Sequence, residues 1–116
     1  SEWINQQINI LNSGDIKDID IDGLIETLYL VKENKYIEAH KTLSTLWKLF
    51  FYNRTTSDFH FQRILMRLHV IIDPSIFTIL KENHHEIYIQ SFRNTFGYIP
   101  TEGLMPPMTL EKFIHP

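Results

Sequence analysis

Three groups of residues in this chain have the types and spacing to do chemistry. Asp18-Ile19-Asp20-Ile21-Asp22-Gly23 opens like a calcium loop, in which alternate carboxylates and a glycine turn wrap the ion. Ile25 even stands where such loops place an apolar anchor. Calcium then requires a bidentate carboxylate at the twelfth loop position, which here is Tyr29, and Glu26 at the ninth cannot close the shell in the same geometry. The run is read instead as a helix start whose carboxylates cap backbone N–H groups. Ile19 and Ile21 should be buried if both lie inward. The second group comprises Arg54 with His60 and Arg63 with His69, each pair enclosing five residues. Small helical ribonucleases of the HEPN class use a loose Arg…His pattern of this kind, with Arg stabilising phosphate charge and His moving a proton. Arg63 and His69, however, are ~600° apart around a helix at ~100° per residue, so they point to different faces. His60, Arg63 and Arg67 share one face, as i, i+3 and i+7. The third group is His84-His85-Glu86 with Glu82. Adjacent histidines diverge by about 100° on a helix, and the i, i+4 pair of a zinc helix is missing. His84 falls on the apolar stripe between Leu80 and Tyr88, and His85 faces out. No metal and no cofactor is expected.

Other catalytic patterns are missing. No serine or threonine has a recognisable base or a Gly-rich elbow, and the four glycines are scattered singly, so no loop cradles phosphate. Asn53-Arg54-Thr55 matches a glycosylation sequon, read as accidental without a secretory signal.

The elements that must position these residues are helices. Ser1 can cap a first helix carrying Trp3, Ile4, Ile8 and Leu11, which Asn12-Ser13-Gly14-Asp15 ends. Leu24, Ile25, Leu28 and Val31 mark a short second helix, with Asp20 or Asp22 near its positive N-terminal end. Asn34 begins a third, whose stripe runs through Tyr36, Ala39, Leu43, Leu46, Leu49 and Phe50 to Tyr52. Ser57 can cap a fourth carrying Phe61, Ile64, Leu65, Leu68, Ile71 and Ile72. Asp73-Pro74 breaks it, because a residue before proline avoids the helical region. A fifth runs from about Ser75 to Phe96, with an interruption expected near Asn83 and Gly97 as its C-terminal cap. Four of the five prolines lie between Pro100 and Pro116. That stretch reads as a strap across the helical body, held by Tyr98, Ile99, Leu104, Met105, Met108, Phe113 and Ile114, with Thr109 capping a last short turn. Short loops between amphipathic helices imply antiparallel neighbours. The expected fold is all-α: one domain over 1–116, a small antiparallel bundle of about five helices with a C-terminal strap over 97–116.

Composition bounds the function. With no cysteine there are no disulfides, thiolate nucleophiles or Cys-based metal sites. No apolar stretch approaches the ~20 residues that span a bilayer, and no N-terminal basic segment precedes an apolar run, so a cytoplasmic protein without membrane contact is expected. The net charge of −3 disfavours nucleic acid as a partner. Charge is also segregated. Asp15, Asp18, Asp20, Asp22 and Glu26 form an acidic block relieved by Lys17, whereas Lys41, Lys48, Arg54, Arg63 and Arg67 make the middle basic around Asp58. Trp47, Phe50, Phe51 and Tyr52 overfill one end of a helix whose inward stripe cannot take them all. Either some of them are exposed as interface anchors, or the first helix and the tail cover them.

The order of these features resembles a bacterial helical family known as "domain of unknown function twenty-nine". Trp3 and Gln7 precede Leu11 and Gly14; DIDIDGLIETL is similar to that family's aspartate run into a Leu-Ile-Glu-Glu helix start. LSTLWKLFFYNR, Gln62-Arg63, the DPSI turn, Tyr88 with Arg93, and the Pro-rich ending follow in the same order. The family's third-helix His is absent here, with Trp47 or Lys48 near its place, and its Cys before the tail proline is Met105 or Pro106. The resemblance implies a soluble prokaryotic helical bundle and carries over no catalytic residue.

The reading that combines these features is a non-enzymatic protein-binding module, of the immunity or antitoxin type or a small regulatory subunit. Trp47, Phe51 and Tyr52 are its expected apolar anchors, with His60, Arg63 and Arg67 as a basic rim. The block from Asp15 through Asp18 and Asp20 to Asp22 is a second surface, suited to a basic partner such as a nuclease toxin. A protein partner or a homodimer is expected. The alternative is a HEPN-like, metal-independent ribonuclease.

Overall fold

A computed structural model describes residues 1–53, 58–99 and 105–116. Among them every regular element is helical: α1 (Glu2–Ser13), a single 3₁₀ turn (Ile16–Asp18), α2 (Ile21–Phe51), α3 (Phe59–Ile71), α4 (Pro74–Phe96) and α5 (Leu110–Ile114). The fold is an all-α helical bundle, as the periodicity requires. The chain divides into two units, Ser1–Glu33 and Asn34–Pro116, with the boundary inside α2.

In the first unit, the Ser1 hydroxyl accepts the Ile4 N–H, and Gly14 closes α1 in the left-handed region at φ 77°, donating to the Leu11 carbonyl. Asp20 starts α2. One of its carboxylate oxygens accepts the Gly23 N–H at 2.9 Å and the other accepts the Trp3 indole N–H at 3.2 Å. Its own backbone N–H donates to Gln7 Oε1 at 2.8 Å. A Cβ at Gly23 would run into the Asp20 carboxylate. Asp20 and Gly23 of the aspartate run therefore serve helix capping. Burial of both isoleucines does not follow: Ile19 is half-buried, and Ile21 is exposed because it lies on the outer side of the first turn of α2.

The break expected before Asn34 is absent, and the second and third helices are one. Between Gly23 and Phe51 there is neither proline nor glycine. A lone Asn in a run of Lys and Glu costs less than ~0.7 kcal/mol, too little to stop a helix.

In the second unit, Asp58 caps α3 by accepting the His60 and Phe61 N–H groups. It takes the place expected for Ser57, which lies outside the described residues. The Asp73 carboxylate accepts the Ile76 N–H at 2.8 Å and Pro74 opens α4, where a missing N–H costs nothing. α4 is not interrupted at Asn83, whose amide is used inside the fold: it donates to the Ile79 carbonyl at 2.9 Å and to the Tyr36 hydroxyl at 3.3 Å. Gly97 ends α4 at φ 82° and Thr109 caps α5.

The core of this unit is aromatic and centres on Trp47, which is fully buried. Phe113 stacks on its indole at 3.8 Å and 7°, Tyr88 meets it edge-on at 4.8 Å, and the His84 ring lies at 5.5 Å. Leu43 and Leu46 of α2, Phe61 and Leu68 of α3, and Leu80 and Ile87 of α4 fill the remainder. The strap is held by Leu110, Phe113 and Ile114, all buried. Tyr98, Ile99 and Met105 are exposed and Met108 is half-buried against the core, so among the described residues the fully buried part of the tail is the short turn α5; Leu104 lies outside the described residues.

Candidate interaction surface

Helix α3 has a core side and a second apolar side. Phe61 and Leu68 are buried, and Ile64, Leu65 and Ile71 flank them. Phe59, Met66 and Val70 lie opposite and are exposed by 79%, 68% and 86%. At ~100° per residue these three fall within about 40° of one another, so they form one outward stripe. Arg63 and Arg67 stand along one edge of that stripe, followed by His60, and all three are exposed. His60, Arg63, Ile64, Met66 and Arg67 line a groove of about 430 Å³. A second groove of about 540 Å³ brings Tyr52 to His60, with Thr45, Lys48 and Leu49. The surface therefore combines large apolar side chains with cations, the composition that anchors protein interfaces.

The structure redistributes the expected anchors. His60, Arg63 and Arg67 share one exposed face of α3, as the spacing requires. Trp47 is not a surface anchor: its indole is the centre of the core, covered by Phe113 of the tail. Phe51 is half-buried against Tyr88 and Phe92, and only Tyr52 of the three is exposed. The exposed large apolar residues of α3 that the sequence reading left out are Phe59, Met66 and Val70. A wheel over 59–70 carries apolar residues on both sides, and that doubled pattern was the available signal.

The acidic block lies in the first unit. Asp15 accepts the Lys17 N–H, Asp20 is spent on Gly23 and Trp3, and Asp18 and Asp22 are exposed. Among the described residues no three His, Asp or Glu side chains cluster as a metal ion would need.

Of the two expected ribonuclease pairs only Arg63 and His69 are both described, and they lie on different faces of α3. Arg54 lies outside the described residues, and the His69 Nε2 is within 2.7 Å of the Ile114 carbonyl oxygen, where it ties α5 to α3. His84 is buried on the apolar stripe and His85 is exposed, so they do not converge. Burial pushes the His84 imidazole below its ordinary pKa of 6.5; the Glu111 carboxylate opposes this and His85 adds to it. Lys81 and Glu111 pair at 2.6 Å on the rim of a groove of about 730 Å³ that also borders His84. The pairing with Lys81 holds the Glu111 carboxyl below its usual range. The His84 imidazole is thus packed on the core side of this groove, beside a closed Lys81–Glu111 ion pair.

No described helix is long and apolar enough to cross a membrane. Comparison of the chain with protein-family models, curated proteins and solved structures gives no match. The family resemblance thus rests on the quoted residues alone.

Proposed function

We propose that this chain is a non-enzymatic protein-binding module that engages an acidic, amphipathic partner through the outward face of α3. The observation that carries the reading is the stripe of Phe59, Met66 and Val70, edged by Arg63, Arg67 and His60. Each exposed apolar side chain gains ~1.5–3 kcal/mol if fully covered. The cations add register and rate, and they reject partners of like charge. Tyr52 extends the contact at one end. A toxin neutraliser or a regulatory subunit works in this way, by presenting a preformed face and doing no chemistry.

Affinity capture from the native host, at low and moderate salt, tests this with three proteins: wild type, Arg63→Glu with Arg67→Glu, and Phe59→Ser with Val70→Ser. A stoichiometric partner held by wild type and lost from both variants is expected. If both folded variants hold every partner as wild type does, α3 is not the binding face.

A further inference from the structure

The first unit presents the complement of the α3 face. Along the first turns of α2, Ile21, Ile25 and Leu28 are exposed by 59%, 48% and 66% and fall within about 60° on the helix wheel, with Tyr29 (69% exposed) beside them. Asp22, Glu26 and Glu33, all exposed, stand along one edge of that stripe. The unit as a whole has seven carboxylates against two lysines, an excess of five negative charges. In the direction of increasing wheel angle, the acids of α2 follow their apolar stripe as the cations of α3 follow theirs.

From these two faces we infer that the partner of α3 is a second copy of this chain, whose α2 docks antiparallel on it through residues 21–33. The inference rests on the reading of α3 as a docking face. Handedness selects the orientation. When two right-handed helices face each other antiparallel, edges on the same rotational side coincide, so the carboxylates meet the guanidinium groups. In a parallel arrangement those edges lie on opposite sides.

The register agrees. Asp22 and Glu26 are four residues apart, as are Arg63 and Arg67, a rise of ~6 Å in each case. Setting Asp22 beside Arg67 sets Glu26 beside Arg63. Met66 then falls at the height between Ile21 and Ile25, Phe59 just beyond Leu28, and Val70 just before Ile21. Lys32, which ends the α2 stripe, falls past Phe59. Pairing like with like is disfavoured, because α2 on α2 aligns carboxylates and α3 on α3 aligns arginines. Because the contact joins different surfaces, it closes into a dimer when reciprocated and extends into a chain when not.

Light scattering on sized protein, over a concentration series at low and high salt, reads the outcome. Wild type is expected to exceed the 13.9 kDa of one chain and to approach it as salt rises. Asp22→Lys with Glu26→Lys, and Arg63→Glu with Arg67→Glu, should each be monomeric while circular dichroism stays helical. An equimolar mixture of the two variants should assemble again, since each supplies the charge the other lost. A wild type that stays monomeric throughout overturns the inference, as does a mixture of folded variants that fails to assemble. If the monomer still holds another protein through Arg63 and Arg67, the α3 reading survives without a self-partner; if it holds none, both fall.

Discussion

In residues 34–116 Trp47 stacks on Phe113 at 3.8 Å, and among the described residues twelve other apolar residues are buried with them. In residues 1–33 the single buried residue is Gln7, and what ties α1 to the start of α2 is polar: Trp3 and Gln7 both bond to Asp20. Ile4, Ile8 and Leu11 of α1 recur at helical spacing as the core residues of α4 do, yet all three are exposed. An amphipathic pattern states that a face is ready to be buried. It does not state that the same chain buries it. The later unit has aromatic residues from three other segments to close over its stripes. The earlier one has two helices and a 3₁₀ turn, and below ~40 residues a chain rarely encloses a core unaided.

The largest effect that would break this contrast is in the aromatic core. Trp47→Ala should cost ~3–5 kcal/mol of stability, measured by urea denaturation, because it removes the ring on which Phe113, Tyr88 and His84 all pack. A loss under ~1 kcal/mol would mean that the core is not organised around this indole.

A matched pair of substitutions sharpens the comparison. Gly14 and Gly97 both cap helices at φ near 80°, and a Cβ would meet nothing within 4 Å at either. Gly14→Ala and Gly97→Ala therefore impose the same backbone strain, ~1–2 kcal/mol, one in each unit. Hydrogen exchange should show Gly97→Ala lowering protection across the core of 34–116. Gly14→Ala should lower protection only within 1–33. Equal spreading of both effects over the whole chain would show that the units unfold as one.

The smallest expected effect is acid sensitivity of the later core. Burial lowers the His84 pKa below 6.5, so the unfolded chain takes up this proton first as pH falls. Its contribution to stability is complete above 6.5 and is lost as pH drops through 6.5 towards the folded value. The folded value reflects burial first, then the opposing Glu111 and the neighbouring His85. Denaturation midpoints should fall between pH 7.5 and 5.5, and His84→Phe, which keeps a ring against Trp47, should flatten that slope. An unchanged slope would place the titration elsewhere.

Much of the fold was legible because its signals are local. Ser1, Gly14, Asp73-Pro74, Gly97 and Thr109 mark boundaries through their own backbone chemistry, and the structure uses each of them. Asn34 and Asn83 misled because asparagine marks a helix start only where its side-chain oxygen accepts a free backbone N–H. At 83 its amide bonds to the Ile79 carbonyl within the helix instead. The basic edge of the candidate surface was legible for the same local reason: His60, Arg63 and Arg67 share a face on any helix. Its apolar part was not, since choosing which side of α3 is core depends on residues distant in sequence.

The sequence by itself determined that the chain is helical, where most helices start and stop, that it carries no cysteine chemistry, and that acid and base are segregated along it. These follow from residue type and spacing over a few turns. Only the tertiary structure decided that Trp47 is interior and Phe59, Met66 and Val70 are exterior. Both sets are large, apolar and helical. Burial is settled by which partner surface arrives, and for Trp47 that partner is Phe113, 66 positions further along the chain.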